Sequence, residues 1–180
     1  FTAERQGSIL LDRLVAEYPN REGRASLENA AFEFQLDGWE RKILVITAEF
    51  APSDGAVEWA KKLCLSDKYK DHYVIYLTHS YMKCHKCGNT VTPTEKYPLT
   101  QRPGNNSGVQ LWEKLFSQVP NVRLVLCGHH GHSQEKTPEG KRDRYDWSVG
   151  WRVDRNVAGK NVYQMMFNVQ TLGGGYEGNG

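Results

Sequence analysis

An α/β fold built on a parallel sheet is predicted by three observations. Two short apolar runs, Ile43 to Ala48 and Val122 to Cys127, have the length and β-branched content of buried strands, and the first is apolar on both faces, which suits an interior strand. A third run, His72 to Leu77, lies between them. Segments with helical spacing connect the three, and a strand-helix-strand order means parallel strands with a right-handed crossover. The 180 residues suffice for one domain with a sizeable core, and nothing requires a second.

In chain order, Ser8 to Tyr18 places Ile9, Leu10, Leu14 and Val15 at helical spacing before Pro19, which predicts a short amphipathic helix. Asn20 to Glu28 is polar and reads as an exposed loop. Ala31 to Leu36 alternates Phe32 and Phe34 with Glu33 and Gln35, and Asp37-Gly38 is a hairpin signal leading into Ile43 to Ala48. Pro52-Ser53 announces a helix over 54–65 with Ser53 as N-cap. Residues 80–107 form a long loop rich in Pro, Gly, Asn and Thr, a natural rim or lid. Val109 to Gln118 carries Leu111, Trp112, Leu115 and Phe116 at helical spacing. A charged excursion, Ser133 to Asn161, precedes a last strand at Val162 to Val169, and a glycine-rich tail follows.

The net charge of +2 is spread along the chain, which leaves no footprint for nucleic acid, and the apolar runs are too short to span a bilayer. Cys64 and Cys127 read as buried thiols. Cys84 and Cys87, in Cys-His-Lys-Cys, suit a disulfide, free thiols or a small zinc clip. His72 and His85 do not read as ligands, and Lys141-Arg142-Asp143-Arg144 reads as a solvated face.

In a parallel sheet, ligands bind beyond the carboxyl ends of the strands. Thr78-His79 and Gly128-His129 follow two of the predicted strands, and Glu49 follows the third. Neighbouring strands lie about 5 Å apart, so His79 and His129 are expected to meet within the span of one metal ion. Glu49 fits a carboxylate that caps a helix or orients a histidine from the second shell better than a direct ligand.

These residues resemble the second half of calcineurin-like metallophosphoesterases. The likeness runs through Ile46-Thr-Ala-Glu-Phe-Ala-Pro-Ser-Asp54, Val57-Glu-Trp-Ala60, Val74-Ile-Tyr-Leu-Thr-His-Ser-Tyr81, Leu111-Trp112, Pro120 to His129 and Gln170 with its glycines, most of the chain. The family resemblance implies a four-layer αββα sandwich holding two transition metals, Fe, Mn or Zn, that hydrolyses phosphate mono- or diesters. It implies His79 and His129 as ligands of one metal. In the family's closing Gly-His-x-His motif, Gly131 stands where the second histidine belongs, so His132 or His130 is the shifted ligand or that ligand is missing. The family's Asp-x-His, Gly-Asp-x-x-Asp and Gly-Asn-His-Asp/Glu motifs do not occur, and no catalytic residue beyond the metal ligands is identifiable. The resemblance therefore implies the C-terminal portion of a longer enzyme, inactive by itself, from a bacterial branch that is often exported, periplasmic or secreted. The alternative is a binding module without catalysis that keeps the sandwich and holds a partner or glycan through the 80–107 loop and the tryptophans of the 133–161 excursion.

Overall fold

The computed structural model describes residues 11–83, 91, 97–130 and 149–168. These residues form one mixed sheet of seven strands in the order β1-β2-β3-β4-β5-β7-β6. The strands are β1 (Leu14–Glu17), β2 (Ala30–Phe34), β3 (Ile43–Thr47), β4 (Tyr73–Leu77), β5 (Val122–Cys127), β6 (Val149–Arg155) and β7 (Asn161–Phe167). The middle of the sheet is parallel, with β3 on β4, β4 on β5 and β5 on β7. The flanking pairs β1-β2, β2-β3 and β6-β7 are antiparallel.

Two helical crossovers connect the parallel strands. Helix α1 (Asp54–Leu65) begins where Ser53 accepts a hydrogen bond from the Ala56 amide, as the N-cap signal predicts. Helix α2 (Gly108–Leu111) opens with a capping box between Ser107 and Gln110, then widens into a π turn over Trp112–Phe116. The predicted helix over Val109 to Gln118 is thus present with a looser second half. Two crossovers of one hand that advance the same way across a sheet put their helices on the same side. Val57, Ala60, Cys64, Leu111, Leu115 and Phe116 accordingly share one core with Leu44, Ile46, Val74, Tyr76, Val125 and Met166.

The opposite face is apolar as well. Val153, Tyr163, Leu124, Ile75 and Val45 form one row of cross-strand neighbours; Trp151, Met165, Leu126, Leu77 and Thr47 form the next. Burial on these rows fades from half-buried at β3–β5 to exposed at β6 and β7, where Trp151 is 59% and Phe167 63% accessible.

Three expectations need correction. Over residues 11–17 the chain forms a single 3-10 turn, Leu11–Arg13, and then β1, not an amphipathic helix. A short isolated helix is marginal because its nucleation is costly, whereas pairing with β2 anchors these residues in the sheet, and the pairing continues to the Tyr18 amide on the Asn29 carbonyl. The hairpin of β2 and β3 is real, but the link is the eight residues 35–42, with Gly38 at φ +77°, rather than a two-residue turn at Asp37-Gly38. Finally, the charged excursion contains β6. Its polar residues point inward: Arg152 donates to Asp154 at 2.6 and 2.8 Å, and Gln164, itself hydrogen-bonded to the Tyr81 hydroxyl, donates to Asp154 at 2.6 Å. That inversion of the usual pattern conceals the strand in the sequence.

Candidate metal centre

The carboxyl ends of β3, β4, β5 and β7 lie along one edge of the sheet, and the ladder continues past them. The Thr78 amide donates to the Leu126 carbonyl at 3.0 Å, and the Gly128 amide to the His79 carbonyl at 3.0 Å. His79 and His129 are thereby fixed on adjacent backbones two residues beyond their strands. Their rings converge: His79 Nε2 and His129 Nδ1 are 3.2 Å apart, and the ring centroids 4.9 Å.

This separation is compatible with two chemistries. Two nitrogens bound to one ion at about 2.0–2.1 Å lie about 2.9 Å apart at a right angle and about 3.4 Å apart at a tetrahedral angle. The 3.2 Å spacing falls inside that interval. The same spacing lets the two nitrogens share a proton, so the pair is built for either a cation or a hydrogen. Among the described residues no group of three or more His, Cys, Asp or Glu side chains surrounds a common point, so the pair by itself does not make a metal site.

Backbone strain aims His129. Its φ is +66°, a left-handed conformation that costs a residue with a Cβ about 1 kcal/mol or more. Gly128 precedes it, and a Cβ there would lie 3.2 Å from the Phe167 carbonyl oxygen, a tight contact that the backbone would have to relieve by a few tenths of an ångström. Asn168, just past β7, donates from Nδ2 to the His129 carbonyl at 2.9 Å and holds the turned peptide in place. The strands thus bring the two backbones together, and the strained turn brings the ring across.

Phe50 forms the floor, with its ring 4.9 Å from His79 and 5.0 Å from His129. Glu49 sets Phe50. This buried carboxylate accepts from the Arg21 amide (3.1 Å), Arg21 Nε (3.3 Å) and the Ser53 amide (3.1 Å), while Arg21 also donates to the Phe50 carbonyl. Glu49 therefore braces the loop entering α1, and its influence on the imidazoles passes through Phe50. Tyr97 completes the ring cluster, 5.2 Å from Phe50 and 5.0 Å from His129.

The remaining histidines divide. His130 sits beside the pair, 5.2 Å from the His129 ring, with Nε2 3.3 Å from Ser80 Oγ. His72 lies at the other end of β4, buried, with Nε2 3.7 Å from Glu33, as its position at a strand start implies. Cys64 and Cys127 are buried free thiols, both pushed up to about 12 by desolvation. His132, Gly131, His85, Cys84, Cys87, Gln170, Trp147 and the Lys141 to Arg144 cluster lie outside the described residues. Phe50, Tyr97, Arg21 and Asn168 escape sequence reasoning. Only Phe50 and Asn168 carry a faint signal, since each follows a strand that ends at this edge.

Fold and site together define an α/β sheet protein that presents paired imidazoles at the carboxyl edge of its parallel strands. A scan against protein-family models matches none, and no curated protein is significantly similar to the chain. No helix among the described residues is long and apolar enough to cross a membrane.

Proposed function

We propose that this chain supplies part of the dinuclear metal site of a phosphoesterase that hydrolyses phosphate mono- or diesters. The observation that carries the reading is the 3.2 Å approach of His79 Nε2 to His129 Nδ1, a distance suited to two ligands of one transition metal. When bound, a pair of Fe, Mn or Zn ions supplies Lewis acidity and a water of lowered pKa. His79 and His129 hold and orient; Phe50 keeps one side of the pair dry, and Gly128 and Asn168 fix the turn that aims His129. The bridging carboxylate and the other ligands, under this reading, come from outside the described residues.

The same reading completes the architecture as a four-layer αββα sandwich. The apolar rows from Val45 to Val153 and from Thr47 to Trp151 suit a second sheet packed about 10 Å away. The half-exposed Tyr163 and Met165 and the more exposed Phe167 and Trp151 then become interior.

The test is turnover of an aryl phosphate diester by the intact, metal-loaded protein. His79→Ala and His129→Ala each abolish it under this reading. Unchanged rates in either variant end it.

A further inference from the structure

Tyr97 lies beside the paired imidazoles, against the His129 ring. Its ring meets Phe50 at 61° and His129 at 79°, both edge-to-face contacts, and the residue stays 47% exposed. A large aromatic held in two ring contacts yet half exposed is placed to stack on a planar group bound beside it.

The segment that carries it is fastened. The Thr100 amide and hydroxyl both donate to the Tyr97 carbonyl, at 3.1 and 3.0 Å. Asn105 Nδ2 donates to the Leu99 carbonyl, the Asp54 amide to the Gly104 carbonyl at 2.7 Å, and the Asn106 amide and side chain to the Pro52 carbonyl at 3.0 and 2.9 Å. Residues 97–107 are thus clamped to the start of α1, the same loop that Glu49 and Arg21 hold beneath Phe50. Tyr97 and Phe50 are two walls of one corner with the imidazoles at its apex.

We propose that Tyr97 is a specificity residue: a planar substituent of the phosphate ester, an aryl group or a nucleobase, stacks on its exposed ring while the phosphoryl group lies at the imidazole pair. The inference rests on the phosphoesterase reading and names its substrate class. Offset stacking on Tyr favours a flat π system over a methyl group that cannot cover the ring, and one such contact is worth about fivefold to tenfold in affinity.

Titration calorimetry on the intact metal-loaded protein, with phenylphosphonate and methylphosphonate as probes, tests it without relying on turnover. The wild type binds phenylphosphonate about fivefold to tenfold more tightly than methylphosphonate. Tyr97→Ala removes that preference and leaves methylphosphonate within about twofold, while Tyr97→Trp retains it. Loss of both probes alike in Tyr97→Ala, with Tyr97→Trp equally impaired, shows a merely structural role and overturns the proposal. So does a wild type that binds the two probes equally. A wild type that binds neither probe overturns the phosphoesterase reading, and this inference with it.

Discussion

The left-handed backbone at His129 leads to a comparison of two substitutions that remove the same ring. His129→Ala and His129→Gly both delete the contacts with His79, Phe50, Tyr97 and His130, whose centroids lie between 4.9 and 5.2 Å away. Alanine keeps the Cβ and with it the penalty for φ +66°, about 1–2 kcal/mol. Glycine removes that penalty but adds about 0.5–1 kcal/mol of unfolded-state entropy relative to alanine. The midpoints of the two ranges leave His129→Gly more stable than His129→Ala by about 0.75 kcal/mol, against the usual order of the two residues. Equilibrium urea denaturation in the presence of a chelator measures this, provided the slopes of the two variants agree. If His129→Ala equals or exceeds His129→Gly, the peptide is not held in the strained conformation, and the account of how the ring is aimed fails.

Two further outcomes follow from the packing around the pair. Gly128→Ala forces a Cβ to 3.2 Å from the Phe167 carbonyl and should cost about 1–3 kcal/mol in urea denaturation, with metal affinity falling because His129 moves with the backbone; full stability would contradict the close approach of β5 and β7. The Asp154 carboxyl is held below the ordinary carboxylate range first by hydrogen bonds from Arg152, against desolvation, and then by Gln164. A lowered folded pKa contributes stability that is present above about 3.9 and is lost as pH falls through the folded value. Asp154→Asn should therefore flatten the acid limb of a stability-pH curve below about pH 4, and an unchanged limb would show that the ion pair contributes nothing there.

The parallel centre of the sheet is legible in the sequence because its strands are buried enough to be apolar on alternate and intervening positions, as in Ile43 to Thr47. Ser53 marks the start of α1 in the same direct way. The edges are not legible. β1 is four residues whose spacing also fits a helix turn, and only its partner β2 decides between them. β6 turns Arg152 and Asp154 inward because they pair with each other and Gln164 donates to Asp154, and turns Trp151 and Val153 outward, so its pattern reads backwards. At the site, the adjacency of the His79 and His129 backbones follows from topology, since each lies two residues past a neighbouring parallel strand, whereas the left-handed turn that carries the His129 ring across does not. The roles of Phe50, Tyr97 and Asn168 depend on how loops fold back over the edge, which periodicity does not encode. The same limit applies to Glu49, whose position suggests a capping or orienting carboxylate and whose partners prove to be Arg21 and Ser53.

Zinc titration of the metal-free intact protein tests the central claim most directly, using wild type, His79→Ala, His129→Ala and the double variant. If the two imidazoles grip one ion, the single substitutions are strongly non-additive, and the double variant loses little more affinity than either alone. Losses that simply add, or an affinity indifferent to both changes, would mean that the 3.2 Å approach holds no ion.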